Sequence, residues 1–360
     1  MYEKRVKYMR VSKIGEDNMI NHLNRLTQPF LVAFVLCLIL TPISMLIAKK
    51  INAIDLPKDE RKIHTTPIPR LGGIAIFVAT MLTMFYYTNY SFHIILGISL
   101  GAIVIIIAGV LDDVYDLPAK LKLFMQILAA IIVVSFGIRI EIFTNYFSNT
   151  QYIYLGILGI PATIFWIVGI TNTVNLIDGL DGLAAGITII ASFTLAYIAL
   201  INNRVETAVL LVILAGSSLG FLPYNFNPAK VFMGDSGSLF IGYFLAVVSI
   251  LGAVKGAATI TYFLPVLVLG LPIFDTTYAI LRRIINKRPI MEADKGHLHH
   301  KLLDVGFNHK RAVLVLYLIS ILFGMTAVFC SVNRYFDSLI PLGLVFLLIM
   351  IPINIASNVK

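Results

Sequence analysis

Four polar segments of this 360-residue chain contain residues that could take part in phosphate or metal chemistry. Three of the segments carry aspartates and the fourth is rich in histidine. Carboxylates that lie close together repel one another, so a divalent cation or a charged partner would stabilise them. Any shared chemistry therefore requires a fold that brings the segments together. They are LDDVYDLPAK at 111–120, TNTVNLIDGLDGLAAG at 171–186, FNPAKVFMGDSGSLFIGY at 226–243 and ADKGHLHHKLLDVGF at 293–307.

The first segment contains three aspartates next to an apolar stretch. Asp112 and Asp113 are adjacent at the end of that stretch, and Asp116 precedes the next one. We predict that they bind a divalent cation or a charged substrate, and a solvated turn that caps a helix is the alternative. Lys120 and Lys122 follow, either as anchors at a membrane surface or as contacts to phosphate.

Amide and carboxylate side chains recur at every third position of the second segment. Asn172, Asn175, Asp178 and Asp181 have a spacing that brings side chains towards one side of a helical or 3₁₀ backbone. Such groups can hold the edge of uracil or the hydroxyls of ribose, and a carboxylate can join a metal site. We predict a ligand pocket here, and the alternative is a turn of Gly, Asn and Asp between two apolar helices.

In the third segment the residues GDSGS, 234–238, open an apolar helix. Backbone N–H groups at the start of a helix favour phosphate, whereas the Asp235 carboxylate could hold a Mg²⁺ ion that bridges phosphates. A simple helix cap by Asp235 or Ser236 is the alternative. The sequence GDSG also occurs around serine nucleophiles, but the GxSxG elbow pattern is absent, so a hydrolase is not favoured.

The fourth segment lies in a long basic stretch, 282–310, that contains three histidines. The HxHH pattern has neither the HExxH spacing nor a nearby cysteine, so a zinc site is not favoured. Protonatable imidazoles and arginines directed at phosphate oxygens fit better beside acidic motifs. An earlier basic stretch, 61–73, is either a further phosphate contact or a membrane anchor. The candidate phosphate-binding residues are His64, Lys122, Arg282, Arg283, His297, His299 and His300.

Composition places these segments in a membrane protein. Hydrophobic residues make up 58% of the chain and charged residues 13%, and the mean hydropathy is +0.89, which excludes an ordinary soluble domain. The formal net charge of +9 would suggest nucleic acid for a soluble protein, but here the positions of the basic residues matter more than their sum. Cys37 and Cys330 lie in apolar stretches and predict neither a disulfide nor a metal site.

The elements that must position the polar segments are membrane helices. A helix needs about 20 apolar residues to cross about 30 Å of hydrocarbon. We predict an all-α polytopic fold in which a basic N-terminal tail, 1–28, precedes one membrane domain, 29–355. The eleven predicted spans are 29–49, 71–88, 93–111, 120–140, 152–171, 183–201, 206–222, 237–254, 258–281, 311–331 and 337–355.

Lysine and arginine concentrate in one set of loops, which the positive-inside rule assigns to the cytoplasm. With eleven spans, this orientation puts the N-terminus outside and the C-terminus inside. The basic tail, 1–28, disagrees, so either translation starts at Met9 or Met19 or the tail lies on a membrane surface. The acidic residues concentrate on the same face as the basic ones, a feature that the positive-inside rule does not explain. The predicted active-site loops are 50–70, 112–119, 172–182, 223–236 and 282–310.

Taken together, the motifs resemble those of the polyprenyl-phosphate N-acetylhexosamine-1-phosphate transferases, from His64 to about Phe307. The resemblance implies transfer of a sugar 1-phosphate from a UDP-sugar to undecaprenyl phosphate, with release of UMP. It also implies a requirement for Mg²⁺, with Mn²⁺ as a substitute. The expected place is a bacterial cytoplasmic membrane, with the active site on the cytoplasmic face.

The resemblance also assigns roles to individual residues. Asp112 and Asp113 would be the catalytic pair near the lipid phosphate. Asp235 would hold the metal, with Asp113 as a second candidate. Phe232 falls where the family stacks an aromatic ring on uracil. The nucleotide and catalytic pocket would contain Asn172, Asn175, Asp178 and Asp181.

The histidine pattern points to one branch of the family. His297-Leu298-His299-His300 resembles the branch that uses UDP-N-acetylglucosamine (UDP-GlcNAc), whereas the branch that uses UDP-MurNAc-pentapeptide has three consecutive histidines and ten spans. We therefore expect UDP-GlcNAc, undecaprenyl phosphate and the lipid bilayer as partners, and no nucleic acid. A homodimer, the glycan supplied, and single or double displacement stay open. The alternatives are the phospho-MurNAc-pentapeptide transferase and, more remotely, an ion-coupled transporter, whose carboxylates usually lie near the midplane.

Overall fold

The computed structural model describes residues 2–55, 67–144, 152–253, 263–288, 296–332 and 335–358. In these ranges the chain is helical apart from two small antiparallel hairpins and a short 3₁₀ turn. The strands are β1 (Ile54–Asp55), β2 (Ile68–Pro69), β3 (Ile142–Thr144) and β4 (Tyr152–Tyr154). The helices are α1 (Tyr2–Lys50), α2 (Gly72–Tyr87), α3 (Phe92–Tyr115), α4 (Ala119–Ser135), α5 (Gly159–Ile177), α6 (Leu183–Ile201), α7 (Val205–Asn225), α8 (Gly234–Ala253), α9 (Phe263–Val268), α10 (Gly270–Ile285), α11 (Leu298–Asp304), α12 (His309–Ser331) and α13 (Tyr335–Asn358).

The structure is that of an all-α, multi-pass membrane protein, as the sequence predicted. Within the described ranges, helix covers at least part of each of the eleven predicted apolar segments. By length and composition, the described ranges contain seven helices that could each cross a membrane. Their limits are Asn24–Lys50, Phe92–Tyr115, Gly156–Ile177, Leu183–Ile201, Val205–Asn225, Gly234–Gly252 and His309–Ser331.

Two predicted spans differ from the helices that form. The segment 152–171 begins as strand β4, which pairs with β3, and its helix starts only at Gly159. The segment 258–281 contains two helices, because α9 ends at Val268 and α10 starts at Gly270. Pro272 favours a break here. In a continuous helix its ring would clash with the carbonyl of Val268, four residues earlier, whereas proline is tolerated in the first turn of a new helix.

Helix α8 lies at the centre of the bundle, where it packs against α2, α3 and α5. In the apolar part of α8, 83% of the residues are buried, compared with 22% for α1. Close approach to α8 requires glycine on its neighbours. A Cβ atom at Gly73 would lie 2.0 Å from Gly237 N, and one at Gly109 would lie 2.3 Å from Ser236 Cα. The first turn of α8 is therefore held between the backbones of α2 and α3.

The remaining helices surround this centre. Helix α7 packs against α1 and α6, and α6 also packs against α12. The short hairpin of β1 and β2 pairs Ile54 with Pro69 and Asp55 with Ile68. At one end of the bundle, the C-terminal ends of α3, α5 and α7 meet the N-terminal ends of α8 and α12 around a common cavity.

Candidate active site

A polar cavity of about 580 Å³ opens at this end of the bundle. Three of the four polar segments of the sequence contribute most of its predicted residues, and the histidine segment contributes one. Seven aspartates thus share one cavity in a membrane protein, where carboxylates are costly and usually functional. The predicted site residues in the cavity wall are Asp112, Asp113, Asn175, Asp178, Asp181, Phe232, Asp235 and His300.

The carboxylate of Asp113, on the last turn of α3, caps the start of α8. Its Oδ1 accepts a hydrogen bond from Asp235 N at 2.8 Å, and its Oδ2 accepts one from Ser236 N at 3.0 Å. The first backbone N–H groups of a helix have no partner within the helix and favour an anion. Asp113 supplies that anion, so these two N–H groups are already engaged and are not free for a phosphate.

Lys122, on the first turns of α4, lies between two carboxylates. Its Nζ is 3.0 Å from Asp112 Oδ2 and 3.2 Å from Asp235 Oδ2. The other oxygen of Asp112 accepts a hydrogen bond from Leu117 N at 2.7 Å. The ammonium therefore offsets the repulsion between Asp112 and Asp235 and keeps both carboxylates at the cavity wall.

Asp178 follows α5 and faces the same cavity with fewer partners. Within the described residues, no hydrogen bond or ion pair reaches its carboxylate. Burial, together with the negative charges of Asp235, Asp113 and Asp181, raises the pKa of Asp178 to about 8. A cation beside Asp178 would favour the ionised carboxylate. Nearby, Asn175 Nδ2 donates to Ser238 Oγ at 2.9 Å and so joins α5 to α8.

Asn225 and Asn227 hydrogen-bond the turn after α5 to the chain at the end of α7. Neither was predicted as a site residue. Asn225 Oδ1 accepts from Gly182 N at 3.0 Å, and Asn225 Nδ2 donates to Val231 O at 2.9 Å. Asn227 Nδ2 donates to Asp181 Oδ2 at 2.9 Å and lies 3.3 Å from Nδ1 of His309, the first residue of α12. Asn225 and Asn227, nine and seven positions before Gly234 of the GDSG motif, were a visible signal, whereas nothing local marks His309.

Asp55 and Arg70 also line the cavity. Both lie in the predicted active-site loop 50–70, but neither was predicted as a site residue. The β1–β2 hairpin brings them together, and the Arg70 guanidinium donates a hydrogen bond to the Asp55 carboxylate. The same guanidinium is 3.8 Å from Asp116 Oδ1. Arg70 thus adds a positive charge to the cavity wall, from a stretch that was predicted as either an anchor or a phosphate contact.

Several predicted site residues lie outside the cavity wall. Asn172 forms a reciprocal amide pair with Gln126 and donates to Val168 O at 2.8 Å, so its side chain joins α5 to α4. The even spacing of the second segment therefore does not bring all four side chains to one place, because α5 ends at Ile177 and the chain then turns. His64 lies outside the described residues.

The histidine segment packs behind the acidic turn. His297 Nδ1 is 2.8 Å from Asp275 Oδ2, and Leu298 N donates to Asp275 Oδ1 at 2.7 Å. His299 is buried against the turn, since a Cβ atom at Gly179 would lie 2.5 Å from its Nε2. Burial lowers the pKa of His299 to about 3, with the charge of His300 adding to the effect.

His299 is therefore neutral near pH 7, and its imidazole does not add positive charge to the site. Arg282 Nη1 donates to Gly296 O at 3.1 Å, beside the histidine segment, and Arg283 is buried. Neither arginine lines the cavity in the described part of the chain. Among the predicted cations, Lys122 is bonded directly to two carboxylates of the cavity wall, those of Asp112 and Asp235.

The donor set fits a metal ion that arrives with a phosphate ligand. Among the described residues, no three acidic, histidine or cysteine side chains form a ready metal site. Mg²⁺ commonly uses one or two carboxylates together with substrate phosphates and water, so a complete protein cage is not needed. Asp235 and Asp178 are the carboxylates best placed for this, because Asp113 is engaged at the start of α8.

Comparison with known proteins agrees with this chemistry. Residues 95–253 match the family model described as Glycosyl transferase family 4. The chain is 45% identical over 304 residues to the probable undecaprenyl-phosphate N-acetylglucosaminyl 1-phosphate transferase of Bacillus subtilis (strain 168), covering 84% of each chain. It is 34% identical over 325 residues to the decaprenyl-phosphate N-acetylglucosaminephosphotransferase of Mycobacterium leprae (strain TN), covering 80% of this chain and 79% of the relative.

Relatives of lower sequence identity are named for transfer of the phospho-N-acetylmuramoyl-pentapeptide. The phospho-N-acetylmuramoyl-pentapeptide-transferase of Borrelia hermsii (strain HS1 / DAH) is 30% identical over 328 residues, covering 82% of this chain and 92% of the relative. The similarities to these relatives extend over most of the chain, and the match to the family model spans Asp112, Asp113, Asp178, Asp181 and Asp235. The chain therefore belongs to glycosyl transferase family 4, and its predicted membership of the polyprenyl-phosphate N-acetylhexosamine-1-phosphate transferases is confirmed.

Proposed function

We propose that this protein transfers N-acetylglucosamine 1-phosphate from UDP-GlcNAc to undecaprenyl phosphate and releases UMP. The observation that carries the proposal is the convergence of seven aspartates and Phe232 on one cavity at one end of an apolar helix bundle, with Lys122 paired to two of the carboxylates. Such a cavity suits a reaction between a water-soluble anionic nucleotide and an anionic lipid. The greater identity to relatives named for N-acetylglucosamine than to those named for the muramoyl-pentapeptide supports UDP-GlcNAc as the donor.

We place the nucleotide sugar and the lipid phosphate by the residues that line the two sides of the cavity. The Phe232 ring and the acceptors of Asn175 and Asp181 form the side that suits a uridine, through stacking and hydrogen bonds. Asp112 and Lys122 form the side reached from α3 and α4, where we place the lipid phosphate. In the proposed topology, eleven spans put this end of the bundle on the cytoplasmic face of the bacterial membrane.

The main physical obstacle is the approach of two anions, so charge neutralisation and alignment dominate catalysis. Arg70 lines the cavity, and Lys122 is paired with the Asp112 and Asp235 carboxylates of its wall, so both place positive charge at the site. Mg²⁺, held by Asp235 with Asp178, would add positive charge at the pyrophosphate, and Mn²⁺ is the expected substitute. An oxygen of the lipid phosphate forms a bond to the β-phosphorus, while the bond from that phosphorus to the bridging oxygen breaks and UMP leaves.

In this single displacement, we assign Asp112 the role of accepting the proton of the lipid phosphate. Asp113 has both oxygens committed to the backbone of α8, so we assign it a positioning role. A double displacement through an aspartyl phosphate is the alternative. Incubation with UDP-GlcNAc in the absence of lipid distinguishes the two, because a trapped phosphoprotein would contradict the single displacement.

The test of the proposed function is UMP release by the purified protein in detergent. With UDP-GlcNAc and undecaprenyl phosphate we expect turnover that EDTA abolishes and that Mg²⁺ restores. Asp235→Asn should reduce turnover roughly 100-fold or more, the scale seen when a major charge-stabilising group is lost. Asp304→Asn, which changes an exposed aspartate of α11 outside the cavity, is the matched control and should retain full activity.

Two outcomes would change the assignment. If UMP is released with UDP-MurNAc-pentapeptide as donor but not with UDP-GlcNAc, the protein belongs to the peptidoglycan branch. No UMP release with either donor would reject the phosphotransferase proposal.

A further inference from the structure

Asn227 and His309 extend from Asp181 in a chain of hydrogen bonds, and the proposed reaction gives neither of these two residues a role. Asp181 Oδ2 accepts from Asn227 Nδ2 at 2.9 Å and from Ala229 N at 3.1 Å. An ionised carboxylate can only accept hydrogen bonds. The amide of Asn227 must therefore direct its nitrogen, and not its oxygen, towards Asp181.

This orientation determines the protonation of His309. The same Asn227 nitrogen lies 3.3 Å from His309 Nδ1. An amide nitrogen carries two hydrogens, so one can go to Asp181 and the other to His309. His309 Nδ1 then has to be the acceptor, and the ring proton lies on Nε2.

The position of that proton argues against a purely structural role. Nε2 of His309 is buried and has no hydrogen-bond partner among the described residues. A buried donor without a partner destabilises the folded state. An apolar side chain would avoid this cost, so the stability of the fold does not account for histidine at this position.

The arrangement leaves acceptor atoms at the cavity. Asn227, Asp181 and His309 all line it. With both amide hydrogens engaged, Asn227 Oδ1 and the second oxygen of Asp181 have no hydrogen bond to the described residues. Two neighbouring acceptors suit a ligand that presents hydroxyl or N–H donors, as a nucleotide sugar does.

We propose that His309 is a positioning residue for the nucleotide sugar: it fixes the amide of Asn227, so that Asn227 and Asp181 present acceptors to hydroxyl or N–H groups of that substrate. This inference rests on the proposed function. It predicts a selective effect on the affinity for the nucleotide sugar, because the lipid phosphate is placed on the opposite side of the cavity.

The experiment compares four variants with the wild type by steady-state kinetics of UMP release. His309→Leu removes the acceptor, and we expect the KM for UDP-GlcNAc to rise roughly 5- to 10-fold, as for the loss of one hydrogen bond. The kcat and the KM for undecaprenyl phosphate should stay within about twofold. His309→Asn, whose side-chain oxygen can take the place of Nδ1, should restore the KM towards the wild-type value.

A double-mutant cycle tests whether His309 acts through Asn227. Asn227→Ala should raise the KM for UDP-GlcNAc at least as much as His309→Leu, and the double variant should match Asn227→Ala, because residues that act in series are not additive. Thermal unfolding and gel filtration of each variant show whether it is folded. A variant that does not fold is replaced by Asn227→Ser or His309→Gln in the same cycle.

The outcomes separate this inference from the proposed function. If the wild type releases UMP but His309→Leu has an unchanged KM, or if the two substitutions are additive, the positioning role is wrong. Equal increases in the KM for both substrates would also contradict it. If the wild type neither turns over nor binds UDP-GlcNAc, the proposed function fails, and this inference fails with it.

Discussion

Asp112 and Asp113 are adjacent in the sequence, yet their carboxylates have different partners. Asp113 accepts two backbone hydrogen bonds from α8, whereas Asp112 is paired with Lys122. The histidines show the same contrast, because His297 is hydrogen-bonded to Asp275 while His299 is buried without charge. At the scale of the residue, the role of a side chain depends on the groups that the fold places beside it.

The buried His299 predicts a loss of stability in acid. Its pKa is lowered from 6.5 to about 3, so between these values the unfolded chain binds a proton that the folded chain does not. The contribution of His299 to the free energy of unfolding is therefore fully present above pH 6.5, and it decreases as the pH falls towards 3. From pH 7 to pH 5 we expect this residue to reduce the free energy of unfolding by about 2 kcal/mol.

Thermal unfolding in detergent at a series of pH values measures this effect. His299→Leu should unfold with a weaker pH dependence than the wild type in this range. The control is His93→Leu, because His93 is exposed and lies beside Phe136 away from the cavity. A pH dependence that is identical in His299→Leu and the wild type would contradict the assignment of a neutral, buried imidazole.

At the scale of the element, the start of α8 is the structural centre of the site. Gly73 and Gly109 allow the backbones of α2 and α3 to contact it, and Asp113 caps it from α3. Asp235 lies in this first turn and so takes its position from three helices. Small changes in the contacts of this turn should therefore affect activity more than stability.

Asp113→Asn tests this coupling. The amide keeps one acceptor but directs an N–H₂ group at a backbone N–H group, so we expect a loss of about 1–2 kcal/mol of stability. UMP release should fall by much more than that loss explains, because Asp235 would also move. Ser91→Ala is the control, since Ser91 caps the opposite end of α3 and should affect unfolding alone. Full turnover by Asp113→Asn would show that the cap does not position the reaction.

At the scale of the whole molecule, the site exists because successive helices run in opposite directions. The ends of α3, α5 and α7 and the starts of α8 and α12 consequently lie on one side of the bundle. The turn between α2 and α3, which contains Asn89, lies at the other end. This arrangement gives the proposed membrane orientation a simple test.

Cysteine labelling in intact cells distinguishes the two faces. Lys310→Cys lies beside the cavity, and Asn89→Cys lies at the opposite end; both positions are exposed. With the active site in the cytoplasm, a maleimide that cannot cross the membrane should label Asn89→Cys and leave Lys310→Cys unlabelled until the cells are opened. The native Cys37 is buried, and Cys330 lies within the apolar helix α12. The reverse labelling pattern would overturn the proposed orientation.

The break between α9 and α10 shows the boundary between local and tertiary information. Pro272 is visible in the sequence and is compatible with either a kinked helix or a new helix. The choice depends on contact with another element, because a Cβ atom at Gly270 would lie 2.5 Å from the ring of Phe323 on α12. Hydrophobicity alone cannot distinguish one long helix from two short ones that occupy the same apolar segment.

Local composition and spacing were enough to predict the membrane class, the approximate positions of most helices and the kinds of chemical group in the site. Which of those groups meet depends on how the helices pack. The hydrogen bonds from Asp235 to Asp113, from Lys122 to Asp235 and from Asn227 to His309 join residues that are 122, 113 and 82 positions apart. No local pattern encodes such pairs, because they depend on how the helices pack, and the same packing kept Asn172 out of the cavity.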